Sequence, residues 1–167
     1  MRVERLDGSH DTRPFACGVK ELDSWLHNHA LENQRRNLSR TFVLLDDANV
    51  LVGYYALSMG SVQRRSLPIR YGRGLPLHEI GMVLLARLAI SSGRHGEGFG
   101  RDLLVEAIGR AADAGAQVAA RFIGVDPIDE DARHFYRKFG FKQIEGDSEA
   151  RMFLRIDHAI EALNGAD

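Results

Sequence analysis

Apolar positions recur along the chain with two periods, and the switches between them set the expected order of elements. Residues 2–6 alternate polar and apolar, the two-residue period of a half-buried strand. A loop-like segment over 7–18 holds Gly8, Pro14 and Gly18. Leu22, Trp25, Leu26, His29 and Ala30 then fall at i, i+3, i+4, i+7 and i+8, one face of an amphipathic helix expected to end near Arg36. Residues 41–45 and 50–59 read as strands joined by a hairpin turn over 46–49. The stretch 63–76, interrupted by arginines, glycines and prolines, is expected to be an exposed, mobile loop.

The strongest signal lies in the middle. Residues 83–90 form an apolar run broken only by Arg87, as in a buried strand, and Leu103, Leu104, Ala107, Ile108 and Ala111 follow at helical spacing. Residues 117–125 supply another strand. Ala132, Phe135, Tyr136 and Phe139 share one face of a short helix that ends before Gly140. Residues 141–145 and 152–156 read as a closing pair of strands, with a last helix over 157–163. Hairpins at both ends and helices between strands predict a mixed α/β or α+β fold: one mostly antiparallel sheet flanked by helices, in one domain over 1–167.

Composition narrows the setting. Of 167 residues 44% are hydrophobic and 27% charged, as in ordinary globular domains, and no apolar run approaches the roughly 20 residues that span a bilayer. The N-terminus carries no signal-peptide pattern, and Cys17 is the only cysteine, so the expected home is the reducing cytoplasm. A net charge of −1 gives no global pull toward nucleic acid, but arginines cluster at 35, 36 and 40 and again at 64, 65, 70 and 73. Either cluster is a solvated surface or a local phosphate-binding face. His27 and His29 point to different sides of a helix, and no metal site is predicted.

Between the central strand and helix stands His95-Gly96-Glu97-Gly98-Phe99-Gly100-Arg101. A glycine-rich turn opening a helix gathers unpaired backbone N–H groups and a positive dipole end, which suits a phosphate or pyrophosphate. The spacing is neither that of dinucleotide folds nor that of a P-loop. It resembles motif A of the GNAT superfamily of N-acetyltransferases, Q/R-x-x-G-x-G/A, which grips the pyrophosphate of acetyl-coenzyme A. His95 stands where Gln or Arg is usual and Glu97 where a basic residue is common. An anionic Glu97 opposes a pyrophosphate unless it faces solvent.

The resemblance implies the GNAT fold and assigns roles along the chain. Backbone groups of Leu88, Ala89 and Ile90 would receive the pantetheine arm. The run from Asp129 through Ala132 and Phe135 to Tyr136, followed by Gly140-Phe141, is similar to the later N-x-x-A-x-x-x-Y and G-F signature, with Asp129 in place of Asn. Asp129 and Phe135 would then touch the coenzyme, and Tyr136 would protonate the departing thiolate. Core packing is the competing role for Tyr136. His78, Glu79, His95 and His134 are the candidates for a base, although an α-amine titrating near 8 needs little help.

A narrower likeness covers nearly the whole chain. The stretches 15–26, 32–34, 39–43, 53–58, 85–90 and 152–154 resemble the acetyltransferase toxins of bacterial toxin–antitoxin systems. That likeness implies acetylation of the α-amine of an aminoacyl-tRNA, a ribbon–helix–helix antitoxin as partner, and a homodimer. On that reading Arg35, Arg36, Arg40, Arg64, Arg65 and Arg73 would meet RNA phosphates. Arg87, costly if unpaired inside a strand, would face the cleft or pair with an acidic neighbour. The alternatives are an acetyltransferase for small amines or protein N-termini, and a coenzyme-binding module without turnover.

Overall fold

The structure, a computed structural model, describes residues 1–143 and 151–164. Its elements are β1 (Arg2–Arg5), α1 (Lys20–Asn28), α2 (Ala30–Arg35), β2 (Arg40–Leu45), β3 (Leu51–Gln63), α3 (Ile69–Gly72), β4 (Glu79–Ile90), α4 (Phe99–Val118), β5 (Phe122–Val125), α5 (Glu130–Lys138), β6 (Lys142–Gln143), β7 (Met152–Arg155) and α6 (Ile156–Asn164). The strands form a seven-stranded sheet in the order β1-β2-β3-β4-β5-β7-β6. The pairs β1/β2, β2/β3, β5/β7 and β6/β7 are antiparallel, while β4 and β5 run parallel. The expected mixed, mostly antiparallel sheet is therefore observed. Two compact units share the strands β3 and β4: Met1–Ser58 with Ala86–Ala107, and Met59–Leu85 with Ile108–Asp167.

In the first unit, α1 lays Trp25 and Leu26 on a core that includes Leu6, Phe15, Val43, Leu45, Tyr54 and Ala89. Tyr54 is wholly buried, edge-on to Phe15 and stacked on Trp25 at 6.0 Å, and its hydroxyl donates to the Leu22 carbonyl at 2.8 Å. A β-carbon on Gly53 would sit 2.6 Å from Ile90 Cδ1 and 3.0 Å from the Ala89 carbonyl oxygen, so only glycine admits this close approach. The hairpin over 46–49 forms as expected. The Asp46 side chain accepts from Ala48 N–H and Val50 N–H at 2.9 Å each, and Asn49 takes the left-handed conformation.

The single helix expected from Leu22 to Arg36 is two, broken at His29. Asn28 Nδ2 donates to the Ser24 carbonyl at 3.0 Å, a side-chain bond that competes with the helical backbone bond to that group. Apolar spacing continues across the break because Ala30 still faces the core.

In the second unit, β4 and β5 pair from Met82↔Phe122 to Leu85↔Val125, and β5 pairs with β7. The stretch 63–76 departs from the loop expected there. A 3₁₀ turn over Arg64–Ser66 and the helical turn α3 lie along it, because Leu67, Tyr71 and Leu75 pack on Val62, Ile80, Met82, Phe122 and Phe153. Tertiary burial overrides the breaker residues.

A strand beginning at Gln117 is likewise corrected. Gln117 and Val118 complete α4, and the turn that ends it places Ala119 at φ 60°, with Ala120 N–H on the Gly115 carbonyl at 2.8 Å. That conformation favours glycine, so an alanine there carries no stop signal in the sequence. Helix α5 ends before Gly140 as expected, with Gly140 at φ 88°. Of the strand expected over 141–145, Lys142 and Gln143 are β6, while Ile144 and Glu145 lie outside the described residues. No helix among the described residues is long and apolar enough to cross a membrane.

Candidate active site

The glycine-rich loop is held at both ends before it reaches α4. Ser91 N–H bonds the Val52 carbonyl at 2.8 Å, and Ser92 places both its N–H and its hydroxyl on the Ala16 carbonyl at 2.9 and 3.1 Å. A short 3₁₀ turn, Ser92–Arg94, follows. The His95 ring nitrogen Nε2 lies 2.8 Å from the Ile90 carbonyl oxygen. A carbonyl can only accept, so Nε2 carries the proton and the ring clips the loop back on the end of β4. Gly96 and Gly98 then take φ values of 81° and 89°, in the region that disfavours side chains.

The first bonds of α4 run from Arg101 N–H and Asp102 N–H to the Gly98 carbonyl, at 3.0 and 3.2 Å. The preceding amides of Phe99 and Gly100 have no intrahelical acceptor, as at any helix start. A β-carbon built on Gly96 or Gly98 would meet nothing within 4 Å, so both glycines face open space. Open glycines, helix-start amides without an intrahelical acceptor and the positive end of a 20-residue helix have the chemistry that suits a diphosphate.

Two charged side chains of the loop neutralise each other. Arg94 Nε donates to both carboxylate oxygens of Glu97, at 2.9 and 3.1 Å. Its Nη1 lies 3.8 Å from Asp46 Oδ2, and the guanidinium carbon lies 4.7 Å from the centre of the Phe99 ring. Glu97 thus turns to Arg94, which answers the repulsion expected from an anion at this position.

Helix α5 builds the second group of candidate residues. Asp129 caps it, its carboxylate accepting the Ala132 N–H at 2.7 Å. Aspartate serves that cap without the amide donor of an asparagine. Tyr136 is buried, its ring edge-on to Phe135 at 5.5 Å and to Phe141 at 5.6 Å, and half-buried Phe135 packs on Phe139 at 5.2 Å. Burial first, and the Asp126 charge second, push the Tyr136 phenol up to about 12. The hydroxyl therefore holds its proton throughout the physiological range.

Residues 9–141 match the profile of the Acetyltransferase (GNAT) family. The chain belongs to this family. It is 37% identical over 153 residues, 92% of this chain and 91% of the other, to the tRNA-acetylating toxin of Mycobacterium tuberculosis (strain ATCC 25618 / H37Rv). Among solved structures, AtaT complexed with acetyl-methionyl-tRNAfMet superposes with a TM-score of 0.89 at 28% identity, covering 98% of each chain. AtaTR bound with AcCoA superposes at 0.82 and 25% identity, over 97% of each chain.

For a GNAT acetyltransferase the sequence-expected residues divide into distinct placements. Leu88, Ala89 and Ile90 form the end of β4, and His95 to Arg101 form the loop, all within the first unit. Asp129, Phe135 and Tyr136 belong to the second unit. Arg87 does not take the acidic partner that was one of the two alternatives for it. It stacks on the Trp25 indole, guanidinium carbon 4.2 Å from the ring centre, and no carboxylate among the described residues lies within 4 Å.

Arg35 and Arg36 are exposed, whereas Arg40 donates to the Gln34 and Ser39 carbonyls at 3.1 and 3.3 Å and to the Asn37 side chain, bracing the turn before β2. Arg64, Arg65 and Arg73 line one cavity of about 910 Å³ in the second unit, with Leu67, Leu77, His78 and Glu79. Of the base candidates, His78 Nδ1 is 2.8 Å from the Glu79 carbonyl, and Glu79 accepts from the Ser61 hydroxyl at 2.9 Å. His134 Nδ1 lies 3.2 Å from the Glu130 carbonyl. Arg94 is the residue that sequence reasoning passed over. Its signal was an opposite charge three positions on, at Glu97.

Proposed function

We propose that this acetyltransferase moves the acetyl group of acetyl-coenzyme A to the α-amine of an aminoacyl-tRNA, and so acts as a toxin that stops translation in the cytoplasm. The observation that carries this is the 37% identity over 92% of the chain to a tRNA-acetylating toxin. The likeness to AtaT complexed with acetyl-methionyl-tRNAfMet supports it. The whole chain works as one acetyltransferase domain, as a homodimer, and is neutralised by an antitoxin of the ribbon–helix–helix class.

Acetyl-coenzyme A supplies an activated thioester. The amides from His95 to Arg101 and the dipole of α4 hold its pyrophosphate, and the backbone of Leu88, Ala89 and Ile90 receives the pantetheine arm. Phe135 packs beside the coenzyme. Asp129 contributes by capping α5, which fixes where Tyr136 stands. The neutral α-amine attacks the acetyl carbon: a C–N bond forms, the C–S bond breaks, the sulfur takes the Tyr136 proton, the amine sheds its own to water, and the Tyr136 phenolate takes a proton back from water. An α-amine near 8 is sufficiently neutral at cytoplasmic pH to dispense with a dedicated base. Exposed Arg35, Arg36, Arg65 and Arg73, with half-buried Arg64, meet RNA phosphates. Arg87 presents its guanidinium to the substrate from its indole seat, and Arg40 shapes the surface by bracing it.

The test mixes purified protein, labelled acetyl-coenzyme A and a charged tRNA pool. Label on the amino acid of the tRNA, and growth arrest on induction of the wild type but not of Tyr136→Phe, are expected. Label on free amines or protein N-termini alone rejects the tRNA substrate. Coenzyme binding without transfer to any amine rejects the enzyme.

A further inference from the structure

The loop holds a charged pair whose geometry is more specific than neutralisation requires. Arg94 spends only Nε on Glu97, in a forked bond of 2.9 and 3.1 Å. Its Nη1 lies 3.8 Å from Asp46 Oδ2, an ion-pair distance beyond hydrogen bonding, and among the described residues neither Nη atom makes a hydrogen bond. The guanidinium is also seated over the Phe99 ring at 4.7 Å. An arginine fixed through Nε, with its terminal fork unspent, is pre-organised for the bidentate recognition that a phosphate offers. Glu97 stands between the left-handed Gly96 and Gly98, in the segment read above as a diphosphate cradle.

We propose that Arg94 is the side chain that reads a phosphate of coenzyme A in this chain, and that Glu97 is its positioning residue. The inference rests on the reading of this loop as the coenzyme site. It accounts for an anion at position 97, since the positive charge resides on Arg94 and Glu97 aims it. Two opposed effects then meet at Glu97. Removing its charge relieves repulsion of the phosphates, a weak effect for an exposed and screened group. Removing its grip frees the long arginine side chain, which must then be ordered again on binding. The second effect is the larger, so truncating an acid beside an anion site weakens anion binding here.

The test is calorimetric titration of coenzyme A, dephospho-coenzyme A and inorganic pyrophosphate into the full chain. The variants are R94Q, R94K, E97A, E97Q and R94Q/E97A, each checked for an unchanged melting temperature. R94Q should weaken coenzyme A by about tenfold or more, the scale of a charge-assisted hydrogen bond, and R94K should fall between. E97A should weaken it several-fold, and further as salt rises, while E97Q, whose amide oxygen still accepts from Nε, stays within twofold. In the R94Q background E97A should cause no further weakening. Loss shared by coenzyme A, dephospho-coenzyme A and pyrophosphate assigns the contact to the diphosphate; loss confined to coenzyme A assigns it to the 3′-phosphate. Tighter binding by E97A, or R94Q within twofold of wild type, overturns the proposal while leaving the coenzyme site standing. A wild type that binds no coenzyme A refutes the site itself and the proposal with it.

Discussion

Substituting Gly98 by alanine isolates backbone conformation from space. A β-carbon there meets nothing within 4 Å, so no clash contributes, but φ is 89° and an L side chain must bear the left-handed penalty. That penalty is about 1–2 kcal/mol, and at roughly 2–4 °C per kcal/mol for a chain of this size it lowers the melting temperature by about 2–8 °C. Gly93 supplies the control. It lies in the 3₁₀ turn before the cradle, is equally open, and has no left-handed φ, so Gly93→Ala should leave stability within about 0.5 kcal/mol of wild type. Coenzyme affinity separates the two as well. The Gly98 carbonyl accepts the first bonds of α4, so shifting this residue re-aims the amides of Phe99 and Gly100 and should weaken coenzyme A on the order of tenfold. Thermal melts and calorimetric titrations of both variants read the two quantities independently. Identical melting temperatures and identical coenzyme affinities for Gly98→Ala and Gly93→Ala would refute the claim that the conformation of this loop builds the site.

Tyr136→Phe should lower kcat by about 10²–10⁴ with KM for acetyl-coenzyme A within twofold, measured by steady-state acetylation. The same variant tests burial of the phenol. Tyr136 is raised to about 12, so the native state keeps a proton that the unfolded chain loses near 10. Wild-type stability should therefore be intact below pH 10 and fall between pH 10 and 12 by about 3 kcal/mol through this group, a loss absent from Tyr136→Phe in denaturant melts; parallel pH profiles would contradict it. Among the arginines, Arg40→Met should lower stability by about 1–2 kcal/mol through its lost carbonyl bonds. Arg64, Arg65 and Arg73 changed together to glutamine should keep the melting temperature but reduce the salt slope of RNA binding by roughly 0.7–0.9 per residue; an unchanged slope would exclude their cavity from RNA contact.

Strong local chemistry made much of this protein legible in advance. The hairpin over 46–49 follows from Asp46 and Asn49, whose side chains and left-handed tolerance encode the turn by themselves. The strand, glycine loop and helix over β4 and α4 follow from an apolar run, open glycines and 3.6-residue spacing. The glycine at 140 ends α5 in the same local way, while the cap that Asp129 supplies at its start was read from the sequence only as a coenzyme contact. Such signals survive because each depends on a few neighbouring residues.

Other features had no local signature. The left-handed Ala119 runs against propensity. The turns of the 63–76 stretch form only because Leu67, Tyr71 and Leu75 find Phe122 and Phe153, residues about 50 to 85 positions away. Arg87 was expected to face the cleft or to pair with a carboxylate, and no local signal announced that a tryptophan 62 positions earlier in the chain (87 minus 25) would seat its guanidinium. The sequence by itself determined the fold class, through the spacing and type of its residues, and the family, through the resemblance of its motifs to those of GNAT acetyltransferases. Only the tertiary structure decided which charges are spent internally, as with Arg40, and which stay available, as with the Nη fork of Arg94. A charge's availability depends on what surrounds it in space, and that neighbourhood is assembled from distant parts of the chain.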